Sequence, residues 1–485
     1  MKNFILTAIV ASLFALATRA QTGLYVPQLA TFDTAMQNLM TSYNVPGAQL
    51  AITYRGRLVY NRGFGFANKA SQDSVYPGSM FRIASVSKTV TGVACMKLFE
   101  QGLLNLNAKV FGVNGILNDA IYQNILDPRD TNITVRMLLH HSAGWNRNTS
   151  GDPMFNAFGI ATTMGVASPP SSVDVIRYML ANKNLDFTPG TQSHYSNFGY
   201  CVLGRVIEKI TGQTYENYVR NSILIPLGIT KMQLGNNLEA NKLPNEVNYY
   251  DYSGAPLANS VYDNTTKVPW PYGGFNLEFM DAHGGWVASA EDLLKLVCAF
   301  DRFNTRPDIL SNATIDTLIK PSPKDPNYAC GIAVNTYNNW WHMGSLPGTT
   351  SEIVRSGNNQ LNWAILLNTR DQNANINSAV DNLVWNVLPS ISSWPSHDLF
   401  SAGSTNLQEV TRPVIPYEFF PNPAKREIHF SQPLNVQIST LTGKTILDRK
   451  NTEVLDLSEL PAGIYFIILT DDKGQLVQRS KIVKE

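Results

Sequence analysis

The sequence predicts an α+β protein in which helices are inserted between the strands of one sheet, followed by a small all-β domain. Strand-like segments lie at 51–60 and at 363–367, and helical periodicity dominates the chain between them. A second β-rich stretch follows a polar segment near residue 400. Early strands, a helical middle and late strands imply that both ends of the first domain contribute to the same sheet.

The early strands are predicted to form a hairpin around Arg55-Gly56, with 51–54 and 58–60 as its arms. Three helices are predicted between the early and late strands, because apolar residues recur there at helical spacing and capping residues stand at the ends. Their predicted bounds are Ser85 to Gln101, Thr134 to Gly144, and Phe198 to Ile210.

The bulk composition excludes several classes of protein. A chain of 485 residues suggests two or three domains, and 44% hydrophobic against 15% charged residues can fill a large core. The net charge of +1 comes from interspersed residues of both signs, which excludes the basic face of a nucleic-acid binder. Cys95 and Cys201 lie in apolar helical patterns and are predicted to be buried free thiols. The sequence does not decide between a Cys298–Cys330 disulfide and two free thiols.

The N-terminus is typical of an export signal. Lys2 precedes a short apolar run at 4–17, and Thr18-Arg19-Ala20 offers the small residues that a signal peptidase needs. Residues 1–20 are therefore predicted to be a signal peptide, with Gln21 as the first mature residue. A transmembrane anchor is the alternative, but the run is short for a bilayer, and no later segment is long and apolar enough to span one.

The composition changes between about residues 390 and 413, where serines, prolines and polar residues replace the helical periodicity. The predicted domains are accordingly a first domain at 21–390, a linker at 391–412 and a C-terminal β-sandwich at 413–485. The strand and turn signals of the last domain are an alternating pattern at 436–438, a dense β-branched and aromatic run at 464–469, and turns at 442–444 and 471–474.

Ser85-Val86-Ser87-Lys88 forms an S-x-x-K pattern at the start of the first predicted helix. Positions i and i+3 share a helical face, so Lys88 can reach the Ser85 hydroxyl. A serine needs a base to become a nucleophile, and a lysine supplies one when burial lowers its pKa. Backbone N–H groups at the helix start can stabilise an oxyanion. The pattern alone is weak evidence, because a chain of this size holds about one by chance.

Tyr195-Ser196-Asn197 directly precedes the third predicted helix. A phenol beside an ammonium group can share its proton and act as a base. Asn197 offers both a donor and an acceptor to a substrate amide. The triplet by itself is equally typical of an ordinary helix entry.

His342-Met343-Gly344-Ser345 is the third candidate element. Gly344 would let a substrate approach a strand closely, and the backbone N–H of Ser345 could complete an oxyanion hole with that of Ser85. The alternative for His342 is a structural, hydrogen-bonding histidine at a strand end.

Five sequence blocks follow one another in the first domain. They are FRIASVSKTVTGVA at 81–94, ITVRMLLHHSAG at 133–144, PGTQSHYSNFGYCVLGRVIEKITG at 189–212, HGGWVASAEDLLKL at 283–296 and HMGSLPG at 342–348. In this order they resemble the class C β-lactamase and serine DD-peptidase superfamily over about residues 30–390. The resemblance implies a β-lactamase/transpeptidase-like fold, with an antiparallel sheet flanked by helices beside a helical domain. It also implies Ser85 as the nucleophile, Lys88 and Tyr195 as proton carriers, and Asn197 as an amide-binding residue.

One position departs from the class C β-lactamase pattern. The third box of those enzymes normally begins with a lysine that attracts the substrate carboxylate, and here it begins with His342. Histidine at this place is similar to that of some DD-peptidases and esterases of the superfamily. Because a histidine is mostly neutral at pH 7, the departure disfavours efficient β-lactam hydrolysis but not serine acyl transfer.

Four segments characterise the C-terminal domain. They are FPNPA at 420–424, Thr442-Gly443-Lys444, LSELPAGIYFIIL at 457–469 and a lysine-bearing end at 481–484. Together they resemble the type A sorting domain of the type IX secretion system of Bacteroidetes. The resemblance implies passage through the outer membrane, to the cell surface or the medium, with the secretion machinery as a partner. A small substrate- or carbohydrate-binding β-sandwich is the alternative.

These patterns together predict a secreted serine hydrolase that forms an acyl-enzyme on Ser85 and cleaves an amide or ester, such as a D-amino-acid peptide or a β-lactam. The expected partner is a small molecule or short peptide, and neither a cofactor nor a metal is expected. The absence of G-x-S-x-G and H-E-x-x-H from the sequence disfavours an α/β-hydrolase and a zinc enzyme. The alternative is a catalytically silent, penicillin-binding-like protein that keeps the groove for recognition.

Overall fold

The computed structural model describes residues 21–400, 419–440, 445–472 and 476–485. The chain divides into two compact units, with the boundary between Leu407 and Gln408. The predicted signal peptide and the predicted turn at 442–444 lie outside the described residues.

The first unit is built on an antiparallel sheet to which both ends of the unit contribute, as predicted. The strands of this unit, β1 to β13 in chain order, are Gln21–Thr22, Gly47–Tyr54, Arg57–Asn68, Asp73–Ser74, Phe81–Arg82, Gln233–Leu234, Ala258–Asn259, Lys267–Val268, Trp286–Ala288, Ala333–Val334, Asn339–Leu346, Thr349–Ser356 and Leu361–Leu367. Eight of them form the main sheet, in the order β1-β3-β2-β13-β12-β11-β10 with β4 paired to β3. The early hairpin is confirmed, since Arg55 and Gly56 turn the chain with φ of 50° and 70°.

The helices of the first unit lie mostly between the early and late strands. In chain order, α1 to α11 are Ala30–Ser42, Ser87–Glu100, Val135–Leu139, Arg147–Ser150, Ala157–Met164, Ser172–Asn182, Asn197–Thr211, Tyr215–Val219, Ala290–Val297, Asn312–Leu318 and Asn375–Val387. Among the described residues, no helix is long and apolar enough to cross a membrane.

The three predicted helices are confirmed as α2, α3 and α7, with one difference in length. The Thr134 hydroxyl accepts a hydrogen bond from the Met137 amide at 3.3 Å, which is the predicted cap. Helix α3 ends at Leu139, before the predicted Gly144, because His141 adopts a left-handed φ of 57° that no helix can continue through.

The two faces of the main sheet belong to different hydrophobic cores, because successive strand residues point in opposite directions. In β13, Trp363 and Ile365 pack with residues of α1 and α11, whereas Ala364 and Leu366 join the core that fills the helical region. All four side chains are fully buried. The helical region and one face of the sheet therefore share a core, which fixes the relative position of residues that come from both.

All four cysteines are free and buried. Cys298 Sγ lies 3.4 Å from Asn362 Nδ2, and Cys330 Sγ lies 3.4 Å from His140 Nε2. The thiols predicted for Cys95 and Cys201 are confirmed, and Cys298 and Cys330 are two separate thiols with different neighbours.

Part of the predicted linker belongs to the first unit. The Trp394 ring stacks on Tyr54 with centroids 5.0 Å apart, and Asp398 Oδ1 accepts a hydrogen bond from the Leu58 amide at 3.0 Å. The predicted boundary at residue 390 therefore differs from the structure, in which residues 391–400 run along the sheet. The composition of this segment does not reveal that it is attached to the sheet, because only a few side chains form the contacts and the rest of the segment is polar.

The second unit is a small antiparallel β domain. Its described strands, β14 to β18, are Phe419–Phe420, Glu427–Ser439, Thr445–Asp456, Gly463–Thr470 and Leu476–Lys484. They form one sheet in which β15 pairs with β14, β16 and β17, and β17 pairs with β18. Alternate residues such as Val436, Ile438, Ile467 and Leu469 fill its own core. The predicted C-terminal β domain is confirmed, and the run predicted at 464–469 lies in β17.

We predict that a chain of residues 21–407 keeps the stability of the first unit, whereas a chain of residues 21–390 loses about 2 kcal/mol. The shorter chain lacks the Trp394 stack and the Asp398 hydrogen bonds, and each such contact contributes about 1 kcal/mol. Urea unfolding of both chains, followed by circular dichroism, measures the difference. Equal unfolding midpoints for the two chains would contradict the assignment of 391–400 to the first unit.

Candidate active site

Ser85 lies in a 3-10 turn, Ala84–Val86, that leads directly into α2. Ala84 adopts a φ of 46°, a left-handed conformation that is unfavourable for a residue with a side chain. Strand β12 holds the turn, because the Ser351 hydroxyl donates to the Ile83 carbonyl at 2.6 Å. The surrounding sheet therefore maintains a strained backbone immediately before the candidate nucleophile.

Strand β11 approaches the same turn so closely at Gly344 that no side chain fits. A Cβ atom at this position would lie 2.4 Å from the Ile83 carbonyl oxygen and 2.9 Å from the Ser85 nitrogen. The predicted role of Gly344 was to admit a substrate, but the close approach is made by the protein's own backbone. Ser345 follows on β11 with an exposed side chain, next to the point of contact with the Ser85 turn.

Lys88 is fully buried, and its amine contacts three oxygen atoms. Nζ lies 2.7 Å from Asn197 Oδ1, 2.8 Å from the His283 carbonyl oxygen and 3.1 Å from Ser85 Oγ. The structure thus brings together the predicted serine, lysine and asparagine, and adds a backbone carbonyl that the sequence analysis did not anticipate. That carbonyl lies in the HGGWVASAEDLLKL block, which was the only signal for it.

Burial lowers the pKa of Lys88 well below its ordinary value, since a charged ammonium group is poorly solvated there. Two nearby charges act in opposite directions on this pKa. The Asp152 carboxylate raises it, and the Arg147 guanidinium lowers it. The neutral amine of Lys88 is therefore accessible at a pH where a free lysine is fully charged.

The orientation of the Asn197 amide is set by a carboxylate. Asn197 Nδ2 lies 2.6 Å from Asp152 Oδ2, and a carboxylate can only accept, so the nitrogen must face it and Oδ1 must face Lys88. A neutral amine has two N–H donors and one lone pair, and the Asn197 and His283 oxygens take the two donors. The lone pair of Lys88 then faces the Ser85 hydroxyl, which is the arrangement of a general base with its nucleophile.

Tyr195 lies between the Lys88 amine and the Arg147 guanidinium and contacts the nucleophile. Its ring centre is 4.7 Å from Lys88 Nζ and 4.8 Å from the guanidinium carbon of Arg147. Burial raises the pKa of Tyr195, while a hydrogen bond to Ser85 and the charge of Arg147 oppose that rise. Tyr195 is therefore a neutral phenol in the resting site, with a proton to donate. The base role predicted for it suits Lys88 better.

His141 supports Tyr195 from behind. The two rings lie 4.5 Å apart between centroids, and His141 Nδ1 accepts a hydrogen bond from the Ser196 amide at 3.2 Å. Burial lowers the pKa of His141 well below its ordinary value, so it is a neutral packing residue. The sequence analysis assigned His141 no role, because nothing in its position along the chain indicates contact with a tyrosine 54 positions later.

His342 is buried, and both of its ring nitrogens are occupied within the protein. Nδ1 lies 2.7 Å from the Met343 carbonyl and donates to it, so Nε2 must accept, and the Tyr328 hydroxyl donates to it at 3.1 Å. Burial lowers the pKa of His342 to about 3. This arrangement favours the structural alternative over a direct role in substrate binding, and it places no cation at this point of β11.

Arg147 and Asp152 are site residues that the sequence did not reveal. Both lie in a short polar stretch between α3 and α5 without periodicity or a motif. A small recess lies beside this stretch; its lining residues include Trp145, Arg147, Asp152, Lys183, Asn197 and Phe198. Among the described residues, no group of three metal-ligating side chains lies close enough together to hold an ion.

An antiparallel sheet beside a helical region, with a serine and a buried lysine at the start of a helix between them, defines a β-lactamase-fold hydrolase. The chain belongs to the β-lactamase family, whose model it matches over residues 32–383. Residues 418–485 match the secretion system C-terminal sorting domain. This second domain implies export to the cell surface or the medium by the corresponding secretion machinery.

The curated relatives are distant, and the match spans only part of their length. Protein flp of Staphylococcus aureus (strain MRSA252) is 27% identical over 352 residues, which is 70% of this chain and 63% of the relative. A probable fimbrial assembly protein FimD, serogroup H1, of Dichelobacter nodosus is 27% identical over 312 residues, or 63% of this chain and 70% of that protein. Protein flp of S. aureus strain NCTC 8325 is 28% identical over 204 residues, 41% of this chain, and the match spans only 36% of its own length.

Three solved structures share the fold. The octameric penicillin-binding protein homologue from Pyrococcus abyssi has a TM-score of 0.57 at 21% identity, over 94% of this chain and 98% of that one. D-amino acid amidase from Ochrobactrum anthropi SV3, complexed with D-phenylalanine, has a TM-score of 0.57 at 20% identity, over 74% and 99%. EstCE1, a hydrolase with promiscuous acyltransferase activity, has a TM-score of 0.57 at 18% identity, over 74% and 98%.

We predict that Gly344→Ala destabilises the first unit by about 1–3 kcal/mol, because the added methyl group overlaps the backbone of the Ser85 turn. Gly199→Ala is the matched control, since a Cβ there would meet no atom closer than 3.7 Å. Urea unfolding of both variants and of the wild type gives the comparison. If Gly344→Ala unfolds at the same urea concentration as the control, the close approach is not a constraint.

Proposed function

We propose that this protein is a secreted serine hydrolase that cleaves amides or esters through an acyl-enzyme on Ser85. One observation carries the proposal above all others. The Ser85 hydroxyl lies 3.1 Å from a buried lysine amine whose two other neighbours are oxygen acceptors. A lysine in that environment can serve as a base toward the serine. A lysine with a merely structural role would not need a neutral amine next to a serine hydroxyl.

Acylation begins with a proton transfer from Ser85 Oγ to the neutral amine of Lys88. The oxygen forms a bond to the substrate carbonyl carbon, and the carbonyl becomes an oxyanion. The backbone N–H groups of Ser85 and Ser345 are the proposed donors to that oxyanion, which would be worth about 3 kcal/mol per donor. Gly344 brings β11 against the Ser85 turn and so places the two donors near one another.

Collapse of the tetrahedral intermediate breaks the bond to the leaving group, which must take up a proton. Tyr195 is the proposed donor, because it is a neutral phenol in contact with Ser85. The proton on Lys88 moves to the Tyr195 phenolate. Lys88 is then again a neutral amine and Tyr195 a neutral phenol before deacylation begins. A water molecule then gives up a proton to Lys88 and attacks the acyl carbon. The bond between that carbon and Ser85 Oγ breaks, and Lys88 returns the proton to Oγ, which releases the acid and restores the Ser85 hydroxyl.

The substrate class is proposed from the fold relatives and from β11. A D-amino acid amidase and a hydrolase with acyltransferase activity share the fold, which supports amides and esters. A β-lactam carboxylate finds no cation on β11, because His342 is neutral and both of its nitrogens are occupied. The complete set of Ser85, Lys88 and Tyr195 argues against a catalytically silent binding protein.

We predict that Ser85→Ala abolishes both turnover and covalent labelling, whereas Ser87→Ala keeps them. Ser87 lies two residues away, is buried and accepts a hydrogen bond from the Trp286 amide, so it is a matched serine without access to substrate. A fluorescent fluorophosphonate measures labelling, and 4-nitrophenyl butyrate measures turnover, which should fall at least about 1,000-fold. Turnover by Ser85→Ala within tenfold of the wild type would overturn the assignment.

We predict that Asp152→Asn shifts the acid limb of the kcat/KM profile to lower pH. Activity requires the neutral amine of Lys88, so kcat/KM rises with pH through the pKa of this group. The Asp152 carboxylate raises that pKa, and an isosteric amide removes its charge while leaving an acceptor for Asn197. Asp316→Asn, on the surface, is the control that should leave the profile unchanged. A shift to higher pH, or none, would show that Lys88 is not the titrating base.

A further inference from the structure

Arg147 is a cation at the candidate site whose charge no acidic side chain neutralises directly. Its side chain is exposed, and its guanidinium carbon lies 4.8 Å from the centre of the Tyr195 ring. Within the described parts of the chain, no carboxylate oxygen lies within 4.0 Å of this guanidinium group. The nearby carboxylate of Asp152 is bound to the Asn197 amide instead.

The backbone that carries Arg147 is held in place on both sides. The Asn146 amide donates to Asp186 Oδ2 at 2.7 Å, and the Ser150 hydroxyl donates to the other oxygen of the same carboxylate. Asn146 Oδ1 also accepts a hydrogen bond from the Asn148 amide at 3.0 Å. Arg147 therefore projects from a fixed turn toward the active-site tyrosine.

Three other basic side chains close to Tyr195, namely Lys88, His141 and His342, are not available to an external anion. Lys88 is buried, and its amine is hydrogen-bonded to Ser85, Asn197 and the His283 carbonyl. His141 and His342 are buried and uncharged at neutral pH. An anionic group of a substrate would thus find its partner in Arg147, at the start of α4, and not on strand β11. A guanidinium group suits this task, because it binds a carboxylate through two parallel hydrogen bonds.

We propose that Arg147 binds an anionic group, most simply a carboxylate, of the amide or ester whose carbonyl carbon Ser85 attacks. This inference rests on the proposed function and narrows its substrate class to acyl compounds that carry a negative charge. A charge-assisted pair at a partly solvated site supports about a tenfold preference for such a compound over its uncharged analogue.

The test compares two esters of equal chain length, 4-nitrophenyl hydrogen glutarate and 4-nitrophenyl pentanoate. Their kcat/KM values are measured for the wild type, Arg147→Gln, Arg147→Lys and Lys209→Gln, each on the plateau of its own pH profile. Lys209 is the control, since its amine pairs with Asp119 at 2.7 Å and does not line the recess beside Arg147. We expect Arg147→Gln to lower the ratio of anionic to neutral ester about tenfold, Arg147→Lys to restore part of it, and Lys209→Gln to leave it unchanged.

A ratio that Arg147→Gln leaves unchanged would overturn the inference. So would an equal loss on both esters, because Arg147 would then act on Tyr195 and not on the substrate. Binding of 3-carboxyphenylboronic acid relative to phenylboronic acid gives the same comparison without turnover, and we expect the same tenfold change. If neither boronic acid binds to the wild type and no fluorophosphonate labels Ser85, the proposed function fails together with this inference. If both bind with a ratio that does not depend on Arg147, only this inference fails.

Discussion

The burial of a single amine constrains much of the first unit. Lys88 has no contact with solvent, so its nitrogen must find every polar partner within the protein. Two of those partners come from distant parts of the chain, Asn197 at a separation of 109 residues and His283 at a separation of 195. Their contacts fasten α7 and the segment before β9 to the start of α2. The hydrophobic core supplies most of the stability, but this amine decides which three segments meet at the site.

A second constraint is the lack of space around the Ser85 turn. Gly344 leaves no room for a side chain, and the Ser351 hydroxyl fixes the carbonyl of Ile83 from the next strand. The left-handed conformation of Ala84 persists because both strands enclose the turn. Groups held in this manner need little rearrangement when charge develops on a substrate, which is the main contribution of a preorganised site.

Sequence reasoning located the residues that carry recognisable signals. Ser85, Lys88 and Asn197 stand at helix starts, where capping and periodicity are legible, and the structure brings them together. His342 was harder to interpret, because its burial and its bond to Tyr328 depend on how β11 lies in the sheet. The roles of Arg147, Asp152 and the His283 carbonyl could not be predicted, since a four-residue helix and the loop after it show no period, and a backbone carbonyl has no sequence signature. Fold class followed from the order of strands and helices, which is a property of long segments.

The sheet that encloses Ser85 has a consequence for the order in which the protein is made. The hydroxyl that fixes the Ser85 turn belongs to Ser351, 268 residues beyond the carbonyl that it holds. A growing chain exposes its serine and lysine early, but it cannot close the turn around them until the late strands have been translated. The centre can therefore assemble only after strands β12 and β13 have been made, and the domain that follows them is the sorting domain at 418–485.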